Sequence, residues 1–422
     1  MFQVERVRAL EILDSRGRPT LLTTCELQGG SVADASVPSG ASTGAAEAWE
    51  LRDGDPARYG GLGVRRAVAN VNTSLHAALH GQPFADQAAL DAALLAQDGT
   101  PNKSNLGANA LLSVSLAFAR AAAQQMGIPL YTYFARQFGA GAPAQLPRPT
   151  INLFSGGKHA GGQISIQDVL VVAAAPTVAD SLAMTYAVYQ AAARLSHTKY
   201  DMRALTADEG GLAPPFPDTE TMLGDAVRAI EDAGLTPGRD VFLAVDVASS
   251  HFYADGAYML DGARLTAEQM IQRLDAWVSR FPIVSLEDGL AEEDWANWPA
   301  LRAALGERTL VLGDDFLCTN PARIARAVAA RAANALLLKV NQIGTLTEAA
   351  EACRLARAAG WAVTVSARSG ETEDNWLADL AVGWGGDQLK VGSITQSDRL
   401  AKYNRLLAIE AETGLPLTAW PQ

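Results

Sequence analysis

From Val241 onward the chain repeats one pattern, an apolar run of strand length followed by a segment whose apolar residues have helical spacing. The runs are VFLAVDV, IVSLED, TLVLGDD, ALLLKV, WAVTVSAR and QLKVG, and helical patterns occupy residues 267–280, 295–305, 321–331, 346–359, 373–381 and 397–412. Strands separated by helical crossovers pair in parallel. Six consecutive units exceed what a small open sheet needs, so the spacing predicts an α/β fold closed into a β/α barrel.

Each run carries a polar residue at or near its end: Asp246, Glu287, Asp314, Lys339, Ser366 and Lys390, in steps of 41, 27, 25, 27 and 24 residues. Any one of them is explained by a solvated strand end, and a lysine such as Lys339 by a salt bridge. Six in phase would converge on the C-terminal face of the barrel, where barrel enzymes place their chemistry. Three are carboxylates and none is a histidine or cysteine, a set that suits Mg²⁺ or Mn²⁺ rather than zinc. Carboxylates gathered together repel, and a divalent cation relieves the repulsion. The same cation would lower the pKa of Lys339 and Lys390 and leave a neutral amine as base. Proton removal beside a carboxylate, with metal holding the enolate, fits; the arrangement is already described for the enolase superfamily.

The earlier residues differ in pattern. Residues 4–35 show short alternating stretches broken by Asp14-Ser15-Arg16-Gly17 and Gln28-Gly29-Gly30, which predict an antiparallel meander. PSGASTG, residues 38–44, is a loop of small residues and hydroxyls, able to approach a ligand or simply to flex. Helical periodicity covers residues 63–97 and 106–126, the second Ala-rich and apolar most of the way round, hence a buried helix. PAQLPRP, residues 143–149, reads as a linker and divides an N-terminal α+β domain, residues 1–140, from the barrel, residues 141–422. Beyond it lie NLFSGGKHAGGQISIQ, with His159 among glycines, a long helix over 177–197, and ADEGGLAPP, with Asp208 and Glu209 side by side.

A net charge of −12 argues against nucleic acid or an acidic membrane as partner through bulk electrostatics. Cys25, Cys318 and Cys353 form neither a disulfide framework nor a zinc site. With no run of eighteen apolar residues and no basic leader ahead of an apolar segment, a soluble cytoplasmic protein is expected.

The chain resembles the enolases through EILDSRGRPT, VPSGASTG, ELRDG, DEGGLAP, DVASSHFY, SLEDGL, GDDFLCTN, LLLKVNQIGTLTEA, SARSGETED and LAKYNRLLAIE, in that order over nearly its whole length. The resemblance implies an N-terminal capping domain, an eight-stranded barrel with irregular first units, a homodimer, and loss of water from a small 2-phosphoglycerate-type acid. It places the first Mg²⁺ on Asp246, Glu287 and Asp314, and Ser42 on a second that arrives with substrate. Lys339 becomes the base, Glu209 the acid with Asp168 as its partner, Lys390 the support of the substrate carboxylate, and Arg368 and Ser369 the grip on the phosphoryl group. His159 and Gln167 fall where family members line the pocket.

Departures surround that pocket. Ala367 replaces the histidine of SHRSGETED, Asp168 the glutamate of QEF, Ala46 a loop histidine, Gly289 the proline of EDP, His251 the glutamate of SEF and Ser155 the asparagine of NGG, while the family's Arg-Ser-Glu-Arg is Gln396-Ser397-Asp398-Arg399. Drift into an inactive relative would erode the costly buried charges first, yet they remain. Shorter side chains at 367 and 168 enlarge the space around substrate. The expectation is therefore a substrate modified at phosphorus, as for the carboxyphosphonoenolpyruvate synthases of phosphinothricin-type antibiotic pathways. The alternatives are a glycolytic enolase that converts 2-phospho-D-glycerate to phosphoenolpyruvate and, third, a non-catalytic protein reusing the fold.

Overall fold

Period-two alternation at the start of the chain gives an antiparallel meander. β1 (Phe2–Leu13) pairs with β2 (Pro19–Leu27), and β2 with β3 (Val32–Ser36). The computed structural model, which describes residues 1–41, 43–139 and 141–420, adds β4 (Pro83–Phe84) on the other edge of β1. This strand splits the region 63–97, expected to be helical throughout, into a bent helix ending at Leu79 and a second one, Gln87–Asp98. Pro83 cannot donate within a helix, and Asp86 starts the second helix by accepting from Ala89 N (2.9 Å).

The Ala-rich helix Ala108–Gln125 is buried round nearly its whole circumference. One side lies on β2 and β3, where Thr23 Oγ1 donates to Ser113 Oγ (2.7 Å); another meets the barrel helix Leu346–Ala358. Asp91 accepts from Thr347 N (2.9 Å) and Oγ1 (2.6 Å) in the first turn of that helix. A buried carboxylate at a helix N-terminus thus fastens the N-terminal region to the barrel.

The barrel begins with β5 (Arg148–Ser155) and β6 (Asp168–Ala173), continues with β7 (Val241–Asp246), and is interrupted by a separate three-stranded sheet of β8 (Tyr253–Ala254), β9 (Ala257–Leu260) and β10 (Ala263–Leu265). It closes with β11 (Ile283–Glu287), β12 (Leu310–Gly313), β13 (Ala335–Leu338), β14 (Ala362–Ser366) and β15 (Gln388–Lys390), in the ring order β11-β12-β13-β14-β15-β5-β6-β7. All six runs seen in the sequence are strands of this ring. β6 runs antiparallel to both neighbours, so the first units are irregular. Two helices, Val178–Tyr200 and Thr219–Asp232, follow it. Arg148, within the stretch read as linker, already belongs to β5, and its guanidinium donates to the carbonyls of Ala173, Ala175 and Thr418.

Strand parity explains how charge is supported. Leu170 and Val172 share the parity of Asp168, and Ala244 that of Asp246; these three apolar residues form a cluster separate from the main core. Leu312 shares the parity of Asp314, and Ala335 and Leu337 that of Lys339, in a second separate cluster. Asp168, Asp246, Asp314 and Lys339 therefore stand above apolar plugs inside the ring, whereas Glu287 and Lys390 share the parity of Ser285 and Gln388. Among the described residues no helix is long and apolar enough to cross a membrane.

Candidate active site

Strand register brings distant residues together. Because β6 runs against its neighbours, its first residue, Asp168, lies beside Asp246 at the end of β7, and Asp246 lies beside Glu287 at the end of β11. Lys390 at the end of β15 reaches across to both, with Nζ 3.0 Å from Asp246 Oδ2 and 2.7 Å from Glu287 Oε2. Lys339 Nζ lies 2.5 Å from Asp314 Oδ2, and Gln342 Nε2 donates to Asp314 Oδ1 (2.8 Å). Ser366, the sixth strand end, turns to its neighbour and donates to the Ala367 carbonyl (2.9 Å).

All five charged ends are buried. Burial lowers the pKa of Lys390, but Asp246 and Glu287 outweigh it and hold the ammonium well above its ordinary range. Burial raises Asp246, and Lys390 with Lys339 overcomes this and holds the carboxylate well below its usual value. Glu287 goes the other way: burial and then Asp246 push it well up despite Lys390. That opposition between neighbouring acids is the repulsion a cation would relieve. At Lys339, burial lowers the pKa and Asp314 raises it more, for a net rise. The neutral amine expected from a metal's field is thus not the resting state of the protein alone, because Asp314 is the lysine's nearest partner.

A second cluster faces the first. His159 Nδ1 donates to Asp168 Oδ2 (2.7 Å) and Nε2 lies 3.6 Å from Glu209 Oε1. Ser155 Oγ donates to Asp168 Oδ1 (2.6 Å) and Asn152 Nδ2 to Glu209 Oε2 (3.0 Å). Burial lowers the imidazole's pKa, but the two carboxylates overcome it and raise it to about 9. Burial raises Glu209, while His159, Arg399 and the two lysines hold it lower overall. The trio therefore keeps its proton on His159, with Glu209 ionised beside it. Gly392 (φ 131°) makes room for this loop, since a Cβ there would sit 2.8 Å from the Glu209 carbonyl oxygen.

Arg368 is buried and donates to both oxygens of Glu47 (3.0 and 3.1 Å) and to Asn341 Oδ1 (2.9 Å). Ser369 Oγ accepts from Arg16 Nη1 (3.0 Å). Gln167 Nε2 donates to Asp246 Oδ2 (3.1 Å). Ser42 lies outside the described residues. Glu47, Asn152 and Arg16 were not picked out from the sequence. Glu47 follows the small-residue loop by three residues, which was the available signal; Asn152 and Arg16 carried none.

The donor set fits a hard divalent cation. Asp246, Glu287 and Asp314 are buried oxygen ligands. Beside them Gln167 Oε1 and Asn152 Oδ1 are buried without a hydrogen-bond partner among the described residues, acceptors left open in the same face. Two tighter groupings, His159 with Asp168 and Glu209, and Asp288 with Asp314 and Asp315, also bring ligand atoms within 4.8 Å of one another. Asp288 is committed to structure, since it accepts from the amides of Asp314 (2.9 Å) and Asp315 (2.8 Å).

The fold and site define a β/α barrel with acids and lysines opposed across the C-terminal ends of its strands, capped by an N-terminal sheet and helices. The family model for the enolase C-terminal TIM barrel domain matches residues 143–417, and that for the enolase N-terminal domain matches residues 4–134. The chain belongs to the enolase family.

Proposed function

We propose that the protein is a cytoplasmic, homodimeric, Mg²⁺-dependent hydro-lyase that takes water from a 2-phosphoglycerate-type acid to leave an enolpyruvate, and that its substrate carries a carboxyphosphono group in place of phosphate. The observation that carries the reaction type is the placement of Lys339 and His159–Asp168–Glu209. Lys339 follows β13 and Asp168 begins β6, four strands apart in the ring of eight, so base and acid face each other across the barrel. An elimination needs this: one wall takes the proton from C2 while the other protonates the hydroxyl leaving C3.

Asp246, Glu287 and Asp314 would hold Mg²⁺, which when bound supplies positive charge to the developing enolate. With a cation on Asp314, the Lys339 ammonium would lose its proton to solvent, and the neutral amine would take the proton from C2. Glu209 gives a proton to the departing hydroxyl and draws it from His159, with Asp168 fixing the ring. Arg368 and Ser369 receive the anionic group on phosphorus, Arg368 exchanging Glu47 for it. The small Ala367, buried beside Arg368, and the short Asp168 favour the modified substrate.

Enolpyruvate absorbance with Mg²⁺, measured on 2-phosphoglycerate and on its carboxyphosphono analogue, tests the reading. A higher kcat/KM for the analogue supports it. Preference for 2-phosphoglycerate would return the glycolytic assignment, and inactivity on both would return the non-catalytic one. Mass measurement in solution tests the dimer.

A further inference from the structure

A cavity of about 710 Å³ opens beside the site, between the glycine-rich loop at residues 157–165 and the turn that carries His251. Its walls include Gly157, Lys158, Gly161, Pro217, His251 and Phe252. Lys158 is exposed there and forms no ion pair among the described residues, in a chain of net charge −12. His251 is half-buried, and its Nδ1 is buried without a hydrogen-bond partner among the described residues. An unpartnered buried nitrogen costs about 1–3 kcal/mol, so local stability does not account for the imidazole. Lys158 and His251 line the same cavity, and His251 follows Asp246, the end of β7, by five residues; burial and then Lys158 push the imidazole's pKa down to about 4. The one acid on this wall, Asp261, is already bonded through both oxygens to Thr219 N (3.1 Å) and Oγ1 (3.0 Å).

We infer that this cavity receives an anionic extension of the substrate, a carboxylate or phosphonate-type group projecting from the reacting acid, with Lys158 and His251 as its recognition residues. The inference rests on the elimination reading and adds, to the phosphoryl grip of Arg368 and Ser369 and the room left by Ala367 and Asp168, a separate contact for the extra anionic group. An anion here would meet an ammonium with no ion-pair partner among the described residues and an imidazole able to donate a hydrogen bond. The volume holds several heavy atoms more than the reacting carbons need.

Phosphonoformate, the carboxyphosphono fragment itself, is the direct probe. Titrated calorimetrically into the full chain, it should bind at least tenfold more weakly to Lys158→Ala and to His251→Glu than to the parent. Lys158 is exposed, so its variant folds regardless. Unchanged affinity in both cavity variants, or no binding to the parent at 10 mM, a concentration on the order expected for a weak fragment, would overturn the site. Lys158→Ala should also lower the selectivity for the carboxyphosphono analogue over 2-phosphoglycerate tenfold. Loss of phosphonoformate binding with selectivity intact would overturn the assignment to substrate. Failure of the elimination reading shows separately, as absent turnover in the parent.

Discussion

The two halves of the site handle charge differently. On the β7, β11, β12, β13 and β15 side, three buried carboxylates are offset by two lysines, each ammonium within 3.0 Å of an acid. On the β6 side, two carboxylates share one imidazole. The first half is short of one positive charge, which the proposed divalent cation would more than supply. The second holds a proton on the His159 ring between the Asp168 and Glu209 carboxylates. In the proposed reaction, metal binding and proton transfer would thus be separated by the number of cations the strands bring to each wall.

The largest effect expected is from Lys339→Ala, which should reduce kcat on the order of 10⁴-fold while thermal unfolding stays cooperative; near-normal turnover would remove the base from this wall. Next, Lys390→Met leaves Asp246 and Glu287 without their cation, and should cost the metal-free protein about 3–5 kcal/mol by denaturant unfolding in EDTA. Mg²⁺ should restore more stability to this variant than it adds to the parent. Equal gains would mean that the ion does not sit among these acids.

His159→Gln should lower kcat about 10²-fold. It also tests the proton store through pH. With its pKa raised from 6.5 to about 9, His159 contributes stability fully present below 6.5 and lost as pH rises through 9. Parent stability should fall by no more than about 3 kcal/mol over that interval, and the variant's curve should be flatter there. Parallel curves would place the proton elsewhere. The smallest effect belongs to Ala367→His, which should move relative kcat/KM toward 2-phosphoglycerate by about tenfold; an unchanged ratio would detach pocket size from substrate choice.

The lysine-rich half was legible in the sequence because each of its members ends a strand of a repeating unit, and the repeat makes position readable. The other half was not legible from spacing. Asp168 opens a strand instead of closing one, and only the antiparallel direction of β6 puts it on the same face. Glu209 comes from a loop tied to β5 by the bridge between Phe154 and Leu212. These two residues were reached through family resemblance alone. The cavity beside His251 depends on the packing of two loops, which no periodicity encodes.

The pairing of Glu47 with Arg368 spans 321 residues, and the Ser39–Gly370 bridge and the Ser36–Thr372 contact (2.6 Å) join the same two ends of the chain. During synthesis the acid emerges long before its arginine. The N-terminal loop must wait for almost the whole barrel before it can dock, and contacts of such long range make closure of the site a late, slow event in folding. A truncated chain that stops before β14 would keep the loop's bonds from Ala45 N to Glu292 Oε2 (2.8 Å) and from Ala48 N to the Gln342 carbonyl (2.7 Å), yet lack Arg368, Gly370 and Thr372, the partners of Glu47, Ser39 and Ser36.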